Sequence, residues 1–201
     1  MKLAAAGGAA ESLAYVLTGD GVTDEKVLGA VCEEYDHSFA LAAAGAPLRR
    51  STGLAVVDSL AFLFEKIARE RITVLVLLDR GHLTGVEDFV NRLRERGFRV
   101  LSTERCSHEG CLLVRAERGG KRGVVVLSVQ GREKCIEEDL AELVRLVAGE
   151  RVEPEEVHEW LKARGYRVSD LVRRASVNAL EEAFPALTSA LKALRALANP
   201  R

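Results

Sequence analysis

The sequence predicts an α/β protein: a mostly parallel sheet flanked by helices in three layers, with an antiparallel hairpin at one edge and a helical carboxyl-terminal extension. Three observations predict it. Up to residue 130, apolar runs that read as strands alternate with amphipathic stretches that read as helices. The run "ITVLVLLD" (72–79) is β-branched and apolar without alternation, the pattern of a central strand covered on both faces. From "CIEEDLAELVRLVAGE" onward the pattern is helical.

The elements follow in order. "LAYVLTGD" (13–20) reads as a buried strand, and "TDEKVLGAVCEEY" (23–35) as the helix after it, with Val27, Leu28, Val31 and Cys32 at helical spacing. Thr23 is placed to cap that helix. "SFALAAAG" (38–45) reads as a second strand, "APLRRSTG" (46–53) as a loop and "LAVVDSLAFLFEKIARER" (54–71) as an amphipathic helix. After the strand 72–79, "GVEDFVNRLRERG" (85–97) is helical and stops at a glycine suited to the position after the cap. "FRVLSTE" (98–104) is a strand, and "CLLVRAERGGKRGVVVLSVQ" (111–130) gives two extended runs around Gly119-Gly120, a hairpin signature. The helices beyond are interrupted near Pro154, near "ARGYRVS" and at Pro185. We place residues 1–150 in the α/β domain and 151–201 in an extension packed on it. In the tail, Leu180, Phe184, Leu187, Leu191, Leu194 and Leu197 form one helical stripe, which predicts packing on the sheet, with a homodimer interface as the alternative.

Composition bounds the function. With 48% hydrophobic and 29% charged residues over 201 positions, the chain has the make-up of a folded globular protein. No apolar run approaches the roughly 20 residues that span a bilayer. The amino terminus "MKLAAAGGAAES" is too weakly apolar for a signal peptide, so the expected location is the cytoplasm, with no membrane partner. A net charge of -1 supplies no global basic field for nucleic acid and leaves that role to local patches. Basic residues are mostly arginine and amides are scarce, a composition compatible with a thermophile. The four cysteines, Cys32, Cys106, Cys111 and Cys135, include no CxxC pair, which argues against structural zinc. Cys106 and Cys111 bracket "SHEG", where His108 raises a metal reading beside the plainer one of buried or free thiols, with a disulfide if the source is a hyperthermophile.

The stretch "LTGDGVTDEKVL" (17–28) bears most on function. "GDGVTD" opens like a dinucleotide-binding turn, but an aspartate stands where the third glycine packs helix on strand. Asp20 lies inside the loop, and no acid follows the second strand; these carboxylates repel a pyrophosphate. A receiver-like arrangement requires a lysine at the end of a later strand, where "VVVLSVQG" has Ser128 and Gln130. A purely structural reading stays open, in which Asp20 and Asp24 shape a turn and cap a helix while Asp79 ends a strand. The competing reading is a divalent-cation site. Right-handed crossovers put the carboxyl ends of strands 13–20 and 72–79 on one rim, so Asp20 and Asp79 are expected close together. Carboxylates at adjacent strand ends are hard oxygen ligands suited to Mg²⁺ alongside a phosphate. Arg49 and Arg50 lie in a loop that can reach the same rim, and Arg80 flanks Asp79; each is placed to hold a phosphate, with a solvated surface as the alternative. "RAERGGKR" is a charge run at a hairpin tip, open to the same two readings.

"DGVTDEKVL" resembles the first motif of the Toprim superfamily, found in topoisomerases, DnaG-type primases and overcoming-lysogenization-defect-type nucleases: a strand ending in Glu-Gly-x-x-Asp before a helix. Asp20 stands in the glutamate's place, Gly21 is the glycine and Asp24 the later acid. "VLVLLDRGHLTG" resembles the second motif, Asp-x-Asp, with Asp79 as its first aspartate and Gly81 where the second belongs. "CIEEDLAEL" resembles the segment after the last core strands of small archaeal Toprim-like proteins, which carries over to Glu137. The resemblance covers roughly residues 13 to 145 and implies a Toprim/Rossmann-like sandwich. It implies Asp20 as the catalytic acid/base candidate and Asp79, Asp24 and Glu137 as ligands of Mg²⁺ or Mn²⁺, with Gly21 on the substrate side. The implied activity is Mg²⁺-dependent binding or processing of nucleic-acid phosphodiesters. A non-catalytic scaffold for protein or nucleic-acid contacts is the alternative that Gly81 favours.

Overall fold

Strand β4 (Arg71–Asp79) lies at the centre of the sheet because both of its faces are apolar. Val74, Val76 and Leu78 point to one side, Leu75 and Leu77 to the other, and all five are fully buried. The structure is a computed structural model that describes residues 2–4, 14–19, 22–35, 40–43, 52–67 and 71–198. The other strands are β1 (Lys2–Ala4), β2 (Ala14–Thr18), β3 (Ala40–Ala43), β5 (Arg99–Arg105), β6 (Cys111–Arg118) and β7 (Lys121–Gln130). Their order is β1-β3-β2-β4-β7-β6-β5. β1, β3, β2, β4 and β7 pair in parallel, while β6 runs against both of its neighbours. The sheet is therefore mixed, with a parallel centre and an antiparallel edge. The hairpin does not lie wholly at the margin: β7 is inserted beside β4, and β5 forms the edge. β1 falls in the amino-terminal stretch, where three residues carry too little pattern to announce a strand.

The helices are α1 (Val22–Tyr35), α2 (Val56–Phe62), α3 (Val86–Glu95), α4 (Ile136–Ala148), α5 (Val157–Ala163), α6 (Val168–Val172), α7 (Val177–Ala183) and α8 (Pro185–Ala198). They divide between the two faces. One core joins Leu75, Leu77 and Val126 of the sheet to apolar side chains of α1, α4, α5, α6, α7 and α8. The other joins Val74, Val76 and Leu78 to α2 and α3. Each fully buried Leu or Val contributes about 1.5–3 kcal/mol relative to exposure, so the unbroken apolar run of β4 draws on both cores. No helix among the described residues is long and apolar enough to cross a membrane.

The helix expected over 54–71 is divided. A 3₁₀ turn at Gly53–Ala55 leads into α2, and Leu63–Ile67 form a widened π turn before β4 begins at Arg71. Tertiary packing explains the widening. Leu63 and Phe64 are both fully buried, and Phe64 meets Phe98 edge-on with ring centroids 5.0 Å apart. Gly123 of β7 clears the space: a Cβ there would lie 2.5 Å from Phe64 Cζ and 2.7 Å from the Ile72 carbonyl oxygen.

The tail stripe is buried within the chain. Leu180, Phe184, Leu187, Leu191 and Leu194 are at most 1% exposed, and α8 lies directly on β7 and β6. The helices beyond residue 150 thus share a single core with α1 and α4 and cover the sheet itself. The β6–β7 turn has Gly119 and Gly120 at φ +56° and +76°, the paired positive values of a two-residue hairpin turn.

Candidate functional site at the carboxyl rim of the sheet

Parallel pairing aligns Tyr15 with Val74 and Thr18 with Leu77, and the Gly19 N–H donates to the Leu77 carbonyl over 2.9 Å. The carboxyl ends of β2 and β4 therefore share one rim, as right-handed crossovers require. Parallel pairing of β4 with β7 brings Asp79 into register with Gln130 on the other side. Asp20, Gly21, Arg49 and Arg50 lie outside the described residues.

Asp79 ends β4 and is 9% exposed. Its Oδ1 accepts from the Ile136 N–H over 3.1 Å. That N–H is one of the orphan donors at the start of α4, and the cap residue Cys135 offers no side-chain bond of its own. Asp79 thus caps a helix 57 positions away, where the positive end of the peptide dipoles favours a carboxylate.

The segment between β7 and α4 is built around two further acids. Gly131, at φ +79°, donates its N–H to Asp139 Oδ2 over 2.9 Å. The N–H groups of Arg132, Glu133 and Lys134 converge on Glu138 Oε2 at 2.7, 2.7 and 3.2 Å, a concave backbone surface closed by the chain's own carboxylate. Arg80 Nε donates to the Gly131 carbonyl over 3.2 Å, and Arg80 Nη2 lies 3.8 Å from Glu109 Oε1. The Gly81 N–H donates to the Lys134 carbonyl over 2.7 Å, and a Cβ at Gly81 would stand 3.2 Å from that oxygen. The position that departs from Asp-x-Asp is therefore where this loop docks on the end of β4. A side chain at 81 would crowd that carbonyl by a few tenths of an ångström.

Of the remaining predicted ligands, Glu137 lies in the first turn of α4, next to the Ile136 that Asp79 caps, and its Oε1 is 3.3 Å from His158 Nε2 on α5. Asp24 sits in the first turn of α1, which starts at the rim, and is 2% exposed. The structure thus gathers Asp79, Arg80 and Glu137 around the start of α4, with Asp24 on a separate helix. Among the described residues, no group of three or more His, Cys, Asp or Glu is arranged to hold a metal ion.

Two residues that the sequence did not single out for the site stand beside Asp79. Gln130 is fully buried; its Nε2 donates to Ser128 Oγ over 2.7 Å, and its Oε1 has no hydrogen-bond partner among the described residues. Asp139 is 4% exposed, and burial pushes its carboxyl up to about 7, with the charges of Glu138 and Asp79 acting the same way and the Gly131 N–H and Arg132 against. Cys135 is pushed up to about 12, chiefly by burial and then by its hydrogen bond to Glu137. Asp139 left a signal in the sequence: it lies at i+3 from Ile136 and i−4 from Leu143, an acid on a core stripe.

Comparison with models of protein families, with curated proteins and with solved structures finds no match to this chain.

Proposed function

We propose that this chain is a Toprim-like protein whose sheet rim binds nucleic-acid phosphodiesters with the help of a divalent cation. The observation that supports it is the parallel alignment of β2 with β4, which sets the ends of the two motif-bearing strands side by side. The donor chemistry fits a hard cation: the Asp79 carboxylate ends β4, and the buried Gln130 Oε1 is an oxygen acceptor in register beside it. Asp20, outside the described residues, is the carboxylate that this reading adds to the set. A bound Mg²⁺ or Mn²⁺ would offset the charge of a phosphodiester, and Arg80, held by the Gly131 carbonyl, is positioned to meet the phosphate from the same rim.

A second reading, a non-catalytic scaffold, is favoured by a specific contact: Asp79 already has a structural task in capping α4. Asp79→Asn separates the two. Asparagine keeps an oxygen for the Ile136 N–H and is as good a cap, but it removes the charge a cation needs. We expect calorimetric Mn²⁺ binding and the affinity for a labelled single-stranded oligonucleotide in Mn²⁺ each to fall about tenfold or more, with the melting temperature within about 3 °C of wild type. Unchanged Mn²⁺ heats in the variant would leave the scaffold reading standing.

A further inference from the structure

We propose that Cys106 and Cys111 form a reactive dithiol that an anionic low-molecular-weight disulfide closes to an intramolecular disulfide, Cys106 entering first and Cys111 resolving. The proposal is independent of the cation reading. Cys106 follows β5 and Cys111 opens β6. The Cys106 N–H donates to the Cys111 carbonyl over 3.0 Å, and the Cys111 N–H to the His108 carbonyl over 2.9 Å, so the four-residue loop between them is pinched. The pair continues the register Arg105↔Leu112 by one step. Residues directly opposite each other on antiparallel strands have Cα atoms about 4.5–5.5 Å apart. Disulfides span about 4.4–6.8 Å.

The side chains complete the arrangement. Each thiol perturbs the ionisation of the other, and Ser189 of α8 perturbs that of Cys111. Ser189 holds the loop as well, through Ser107 Oγ at 2.8 Å and the His108 N–H at 3.2 Å. Both sulfurs are reduced. Cys111 is fully buried, whereas Cys106 is part-exposed and opens on a cavity of 490 Å³ lined also by Arg105, Arg115, Lys192 and Glu104. That size is in the range of small-molecule sites; Arg105 and Lys192 are paired with Glu87 and Glu181 over 3.2 and 2.9 Å, so Arg115 is the lining cation that suits a disulfide bearing carboxylates. The hydrogen bond from Cys111 holds the Cys106 thiol below its ordinary range, against burial and the charge of Glu104. Cys111 is raised by giving that bond and by burial. The accessible sulfur is thus the better nucleophile.

The exchange balances without a further oxidant. The Cys106 thiolate attacks one sulfur of RSSR, forming Cys106–S–S–R and releasing RS⁻. The Cys111 sulfur then attacks Cys106 Sγ, its proton passing to released thiolate, and expels the second RS⁻, which takes up the proton that Cys106 lost. Two protein thiols and RSSR become one protein disulfide and two RSH.

The test treats reduced full-length protein with glutathione disulfide and maps the products by mass spectrometry. Wild type should lose two hydrogens, carry a Cys106–Cys111 link and retain no glutathione. Cys111→Ser should retain one glutathione on Cys106, and folded Cys106→Ser should acquire none on Cys111. Arg115→Glu should slow closure by glutathione disulfide several-fold while leaving closure by cationic cystamine as fast or faster. Stable glutathione on wild-type Cys106, or first modification at Cys111, Cys32 or Cys135, overturns the proposal. The wild-type mapping requires no variant to fold.

Discussion

Gly131→Ala is expected to destabilise the protein by about 3–5 kcal/mol, lowering the melting temperature by about 10 °C or more. Gly131 sits at φ +79°, where a Cβ is already strained. The added Cβ would also stand 2.6 Å from the Cys135 nitrogen and 2.7 Å from its carbonyl carbon, with the carbonyl oxygen closer still. Those are backbone atoms at the start of α4 and have no rotamer to escape into. The loop they belong to is fixed by the Gly131 N–H on Asp139, by Arg80 on the Gly131 carbonyl and by Gly81 on Lys134. Opening it also pulls the Ile136 N–H away from Asp79. Gly119→Ala is the control, because φ is +56° there but nothing lies within 4 Å of the new Cβ. Its cost should be about 1 kcal/mol. Equal losses of melting temperature in the two variants would sink the steric argument.

How much of this rim was legible in the sequence depends on the range of the interaction involved. β4 was legible because two-sided burial leaves a local mark, an apolar run without alternation. The shared rim of β2 and β4 was legible because crossover handedness is nearly invariant, and it holds as far as Gly19 beside Leu77. The break in the helix at Leu63–Ile67 was not, because its cause is Phe64 meeting Phe98 and Gly123, both distant in the sequence. Asp79 was readable as a strand end, but the helix it caps begins 57 residues later. The segment from "CIEED" onward read as helical, and the resemblance drew attention to Glu137. Packing instead turns Glu137 toward His158 and buries Asp139 on the Gly131 N–H. Cys106 and Cys111 were visible as neighbours, yet only the β5–β6 register makes them face each other.

Asp139→Asn is expected to stabilise the protein above neutral pH, by on the order of 3 kcal/mol at pH 8, and to flatten its stability profile. The Asp139 carboxyl is raised from an ordinary 3.8 to about 7, burial being the largest cause. Between those values the folded chain keeps a proton that the unfolded chain has released, so the free energy of unfolding falls as pH rises through the window. The contribution is fully present below about 4 and fully lost above about 7. Asparagine retains an oxygen for the Gly131 N–H and never acquires the charge, so it escapes the loss. Glu142 works in the opposite sense: Arg145 and Arg132 hold its carboxyl at about 2, so its contribution disappears as pH falls from about 4.5 toward 2. The two windows overlap only between about 3.8 and 4.5, so the loss above that range reports Asp139 and not Glu142. The difference between wild type and variant isolates Asp139. Urea midpoints at pH 5 and pH 8 measure it; parallel profiles for the two proteins would mean that this carboxyl titrates no differently in the folded chain, and that the rim tolerates its charge.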